Sequence, residues 1–302
     1  MADELAVERA GIAAVTDLGR PGLSRAGIPA NGAADQHSAG VANLLAGNPE
    51  GAPLLEVTAT ALAFRASRAV VIAVTGAPCT LTVDGRPAPM WRPVRVPAGE
   101  RVGVTAIREG LRVYVAVHGS LDVPRVLGSC APDSLLGIGT WLRPGTRLPL
   151  ASVALAPPDL DARATPPRFG SPWTVDVTDG PEAADFDGSL YDAEYTLSHA
   201  SNHIGLRLHG PCPVTPRSGE LLSRGVPMGA VEVPPAAELL VLMRGRPVTA
   251  GYPVVAVATR TARSLLGQVR PGQAIRFRHR TLEQATAAYR AHRQAVRELA
   301  PR

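Results

Sequence analysis

The chain has 302 residues, 45% of them hydrophobic, and a formal net charge of +5, enough length for two domains with cores of their own. It contains no lysine, so all 31 basic residues are arginine, which excludes a P-loop lysine, a Schiff-base lysine and a covalently carried biotin. Aromatics make up only 4% and no run of about eighteen apolar residues occurs, so neither a base-stacking nucleic-acid surface nor a membrane span is expected.

The first residues, MADELAVERA, carry acids where a signal peptide has a basic end and an apolar run, so the expected compartment is the cytoplasm. Over 16–35, TDLGRPGLSRAGIPANGAAD holds Asp17, Arg20, Asn31 and Asp35 in a stretch too rich in glycine and proline for a regular element. Two readings stay open there: a loop offering N–H groups and an arginine to an anion, or a crossover held by an Asp17–Arg20 pair. A helix is predicted over 33–48, with Val41, Leu44 and Leu45 on one face and Gly47 at its end. The runs AVVIAVT, CTLTVDG, RVGVTAI and LRVYVAVHG then read as short strands, a texture of barrels or sandwiches. Cys130 in LGSCAPDS has Arg125 as its nearest base in sequence and is either a quiet thiol or a nucleophile. With Cys79 and Cys212 it makes an odd, scattered set that suits reduced thiols.

The proline-rich stretch over 156–172 is the predicted linker, between domains at 1–155 and 173–302. His199, His203 and His209 lie in a glycine-broken segment that reads as a loop entering a strand, where their spacing does not converge, and no metal site is expected. VPMGAVEVP, ELLVLM, PVVAVAT and QAIRFR repeat the strand texture, and the loop MRGRPVTAGYP joins the middle two. At the end, Thr281 and Gln284 have capping-box spacing, and Leu282, Ala285, Tyr289, His292, Val296 and Leu299 recur at helical intervals, predicting a helix with one face on a barrel.

The segments VTDLGRPG, GIPANGAAD, ANLLAGNPEGAPLLE, YVAVHGSLDVPRVLGS, SNHIGLRLHG, ELLSRGVPMGAVEVP, AGYP and GQVRPGQAIRFR occur together, in this order, over about residues 5 to 295. In that order the chain resembles the carboxyltransferase-like subunit of prokaryotic 5-oxoprolinase, also called allophanate hydrolase subunit 2 or KipA. It is similar as well to the carboxyltransferase part of urea carboxylase. The resemblance implies a mainly β protein of two tandem cyclophilin-like β-barrels with few helices and a C-terminal helix. It implies a KipI-like partner, a LamB/YcsF-like third subunit, and an assembly that uses ATP with Mg2+ to open the lactam of 5-oxoproline, a small amide. On it, Glu220, Asn202 and Tyr252 are the expected catalytic residues, and Arg20, Asp35, Arg207 and His203 the expected substrate- or phosphate-binding residues.

The chain departs from the family pattern in places. Where family members read D-x-Q-T-T-G-G-Y-P, Gly245, Pro247, Val248 and Ala250 replace the acid, the glutamine, the first threonine and the first glycine. His203 stands for an arginine, Glu232 for a glutamine and Ala262 for an acid, and the glycine-rich loop of the first half is shortened over 137–141. These changes keep a second expectation open, a non-catalytic KipA-like subunit that binds and restrains its partner, and a third, a carboxyltransferase acting on a carrier elsewhere.

Overall fold

A computed structural model of the chain describes residues 3–151, 155–215, 221–235 and 238–299. The first eleven strands are β1 (Glu4–Ala10), β2 (Ala13–Thr16), β3 (Leu54–Thr58), β4 (Leu62–Ala66), β5 (Val70–Gly76), β6 (Thr80–Val83), β7 (Arg86–Pro87), β8 (Pro93–Val96), β9 (Arg101–Thr105), β10 (Arg112–Val117) and β11 (Arg147–Pro149). Nine follow: β12 (Trp173–Asp179), β13 (Tyr195–Leu197), β14 (Gly205–His209), β15 (Arg224–Gly225), β16 (Ala230–Glu232), β17 (Leu239–Leu242), β18 (Thr249–Ala250), β19 (Val254–Ala258) and β20 (Ala274–His279). Three helices accompany them, α1 (Gln36–Leu45), α2 (Ala262–Leu266) and α3 (Leu282–Arg297). The protein is mainly β with few helices, as expected, and every valine-rich run singled out in the sequence contains a strand.

The chain divides into two compact units. The first comprises Met1–Arg20, Asn31–Phe169 and Gln294–Arg302; the second comprises Pro21–Ala30 and Gly170–Arg293. The strands of the first unit lie in a six-stranded sheet, β11-β1-β4-β9-β6-β7, and a five-stranded sheet, β2-β3-β10-β5-β8. Alternation assigns their faces. Val113, Val115 and Val117 of β10 join Leu5, Phe64 and Val102 in the core between the sheets. Tyr114 and Ala116, on the opposite face of the same strand, pack instead with Val41, Leu44 and Leu45 of α1. Strand β10 is therefore buried on both faces, which is why its stretch Val113–Val117 is apolar without a break.

Asp35 starts α1: its carboxylate accepts from Ser38 N at 3.0 Å and from Ser38 Oγ at 2.6 Å, so the helix begins at Gln36, inside the predicted start at 33. Gly47 follows its last turn at φ 73°, as expected for a helix end.

In the second unit seven strands close into a barrel of order β12-β19-β16-β17-β14-β13-β20, with β20 parallel to β12. Trp173, Val175 and Val177 of β12 are buried while Thr174 between them is exposed. The capping box of α3 forms reciprocally, Thr281 N donating to Gln284 Oε1 and Gln284 N to Thr281 Oγ1, both at 3.2 Å. Its stripe is narrower than the sequence suggests. Val296 is buried and Leu299 packs beside it in the α1 layer, whereas Leu282, in the first turn, is 75% exposed.

Candidate functional site

In the first unit the polar residues of the N-terminal segment form a closed network. Asp17 accepts from Gly19 N at 2.7 Å, Ser129 Oγ at 2.5 Å and Cys130 N at 2.9 Å, and Arg125 stands 3.8 Å away. This pins the 129–131 segment against the turn after β2. Where the chain returns, Gly32 has φ +91°, and a Cβ there would sit 2.5 Å from Gly19 N, so only glycine allows the two backbones to approach. Asn31 Nδ2 donates to Asp133 at 2.6 Å, and Asp133 Oδ1 accepts from Leu135 N and Leu136 N. Tyr114 donates to Glu56 at 2.8 Å and accepts from Asp35 N at 2.9 Å. Burial and the neighbouring Glu56 and Asp35 push its phenol well above the ordinary value.

Asp35 and Arg20, expected to bind an anion, are each only 2% exposed. Both carboxylate oxygens of Asp35 cap α1, so its geometry is that of a positioning residue. Arg20 donates from Nη2 to Ala131 O at 2.5 Å and lies 3.7 Å from Asp133 rather than against Asp17. Its Nε and Nη1 have no hydrogen-bond partner among the described residues. Burial, then the charge and hydrogen bond of Asp17, push the Cys130 thiol up to about 12, so it is a quiet thiol. A cleft of about 410 Å³ beside Pro49, Gly119 and Leu121 has one charged group in its wall, Arg125.

The second unit carries the remaining expected residues, except that Glu220 lies outside the described residues. Asn202 is exposed; its Oδ1 accepts from Ile204 N at 2.8 Å and Gly205 N at 3.3 Å, folding a turn into β14 and leaving Nδ2 with no described partner. His203 O accepts from Gly245 N at 2.9 Å, which joins this turn to the loop after β17. Arg207, on the outer face of β14, pairs with Glu238. Tyr252 is 42% exposed in the loop before β19.

The registers Gly205↔Leu242 and Glu232↔Val254 set the Asn202 turn at the end of the ladder where β17 finishes, and Tyr252 at the end where β19 starts. The ladder thus joins Asn202 to His203 but does not bring Tyr252 to them. Beside Tyr252's end lies a set of which sequence reading singled out only Glu232. Glu182 accepts from Arg224 and from Val254 N at 2.9 Å. Glu232, 1% exposed, faces Arg224 and has an oxygen, Oε1, without a described partner. Burial pushes its carboxyl up to about 7, against the opposing pull of Arg224. Glu182 and Arg224 are 42 residues apart in sequence, and only the closed barrel brings them together. Among the described residues no group of three or more His, Cys, Asp or Glu could hold a metal ion, and no helix is long and apolar enough to cross a membrane.

A two-unit β protein with polar loops at both ends of a closed barrel defines a class that comparison with known proteins makes definite. The family described as "Carboxyltransferase domain, subdomain A and B" matches residues 26–279. The chain is 34% identical to the C-type subunit of 5-oxoprolinase from Escherichia coli (strain K12), over 98% of its own length and 97% of that protein's. It is 27% identical to urea amidolyase of Saccharomyces cerevisiae, over 93% of this chain and 17% of that protein. Among solved structures, TTHA0988 superposes with a TM-score of 0.82 at 33% identity, covering 92% of this chain and 56% of that one. Kluyveromyces lactis urea carboxylase superposes with a TM-score of 0.89 at 25% identity, covering 99% of this chain and 29% of that one. The chain thus spans just over half the length of TTHA0988 and under a third of the urea carboxylase. It belongs to the carboxyltransferase-domain family that includes the C-type subunit of 5-oxoprolinase.

Proposed function

We propose that this chain is the C-type subunit of an ATP-dependent 5-oxoprolinase, a cytoplasmic complex with a KipI-like and a LamB/YcsF-like subunit. The observation that carries the reading is the end-to-end match to a 5-oxoprolinase subunit of that type, 98% of one chain against 97% of the other. An unstrained lactam is a poor electrophile, and ATP supplies the phosphoryl group that makes its carbon attackable. This chain's residues then bind and orient. Asn202 offers its Nδ2 donors to a carbonyl, and exposed Tyr252 offers a phenol for proton transfer at the opposite end of the ladder. Arg20, with two donor nitrogens unmatched among the described residues, is suited to an anionic group. Mg2+ enters with the nucleotide, whose phosphates and water hold it with few protein ligands.

The test is to purify the full chain with both partner subunits and measure glutamate release from 5-oxoproline with and without ATP. Release that needs this chain and ATP is expected; a stable complex without turnover overturns the reading. A second reading, a non-catalytic subunit that restrains its partner, draws on one observation. The 245–250 segment presents no carboxylate or amide side chain, and Arg246 Nε is tied to Val226 O at 3.1 Å. The carboxyltransferase reading would instead require a biotin carrier on another protein, since this chain has no lysine to carry it.

A further inference from the structure

Five arginines of the second unit stand beside acids: Arg207 with Glu238, Arg224 with Glu182, Arg276 with Glu194, and Arg278 and Arg280 with Asp176. Arg246, Arg260 and Arg263 do not, among the described residues. All three leave one end of the barrel, Arg246 after β17 and the other two after β19. Strand β16 lies between those two strands, and its start is fixed to both ends: Gly229 N donates to Leu242 O at 2.7 Å, and Gly229 O accepts from Ala258 N at 2.8 Å. At φ +85° a Cβ on Gly229 would lie 3.0 Å from Ala258 Cβ and 3.2 Å from Arg263 Nε, so glycine lets the Arg263 side chain lie against the start of β16.

Two of the guanidinium groups are fixed through one edge. Arg246 Nε donates to Val226 O and Arg263 Nε to Ala258 O, both at 3.1 Å, which leaves their Nη donors without a described partner. Arg260 lies over the Tyr289 ring, 4.9 Å from its centroid. Burial lowers the pKa of both Arg246 and Arg263, and for Arg263 the charges of Arg260 and Arg246 act in the same sense. Two partly desolvated cations with fixed donor edges, Arg246 and Arg263, beside the exposed Arg260 and with no described counter-ion, make a receptor for an anion. A dianion with three acceptor oxygens matches three guanidinium groups better than a monovalent carboxylate does.

We propose that Arg246, Arg260 and Arg263 form a phosphate-binding site, taking either free phosphate or a phosphate of a nucleotide. The site stands whether or not the chain serves 5-oxoproline hydrolysis. Calorimetric titration of the full chain at low salt, with inorganic phosphate, ATP and acetate in turn, tests it. Saturable phosphate binding is expected, weakened about tenfold or more in an Arg246→Gln/Arg263→Gln double variant and unchanged in Arg276→Gln. Because Arg246 and Arg263 also tie strand ends, Arg260→Gln serves where the double variant does not fold. Its side chain is exposed and lies over the Tyr289 ring, and a loss of about threefold or more is expected. ATP binding about tenfold tighter than phosphate, lost in the same variants, supports the site with a nucleotide as source; equal affinities support it with free phosphate. Acetate binding as well as phosphate does, an absence of saturable binding, or binding that all these variants leave intact would overturn the proposal.

Discussion

Asp17 in the first unit and Glu232 in the second are both buried carboxylates, and their surroundings are opposite. Asp17 receives three donors, from Gly19, Ser129 and Cys130, and holds two segments together. Glu232 has an oxygen with no described donor and only the half-exposed Arg224 to offset its charge. The same contrast runs through the arginines and tyrosines. Polar groups retained in the first unit are consumed by folding, with Arg20 the partial exception, whereas the second unit keeps groups without a partner among the described residues. A site for ligands is where donors and acceptors remain unmatched by the fold itself.

Removing the most completely bonded group should have the largest effect. Asp17→Ala leaves three donors unpaired and should destabilise the protein by about 3–5 kcal/mol in denaturant unfolding. A loss below about 1 kcal/mol would remove the contrast at its strongest point. Glu232→Gln comes next, with the opposite sign. Its folded pKa of about 7 lies above the ordinary 4.5, so folding retains a proton that the unfolded chain releases. Stability from this group is fully present below pH 4.5 and falls as pH rises towards 7. The glutamine variant should therefore be more stable than the parent by about 3 kcal/mol at pH 8 and no more stable at pH 4. A gain that does not vary with pH would show that Glu232 titrates normally. Smallest is Thr281→Ala, which breaks one side of the α3 capping box; about 1 kcal/mol is expected from thermal melts.

Much of the fold was legible in the sequence because strand and helix signals are local. The β10 stretch VYVAV is apolar without a break, and the Thr281–Gln284 spacing announces the box that forms. Asp35 was legible too, had the Asp35–Ser38 spacing before an apolar run been read as a cap rather than as part of an anion loop. What stayed hidden depends on closure. No local pattern assigns Pro21–Ala30 to the second unit, or puts Arg263 against Gly229 and Arg246 against Val226. Nor could spacing show that Asn202 and Tyr252 belong to opposite ends of one ladder, since that follows from the pairing register alone.

Two tyrosines put the division between the units to its most direct test. Tyr114 is fully buried between Glu56 and the Asp35 amide, while Tyr252 is 42% exposed. The measurement is the rate of ATP-dependent glutamate release by the proposed complex, assembled with Tyr114→Phe or Tyr252→Phe, at a temperature where both are folded. The account predicts an unchanged rate for Tyr114→Phe, with about 1–2 kcal/mol lost in stability, and a rate about tenfold lower or more for Tyr252→Phe with its stability intact. A complex slowed by the buried change and indifferent to the exposed one would contradict it.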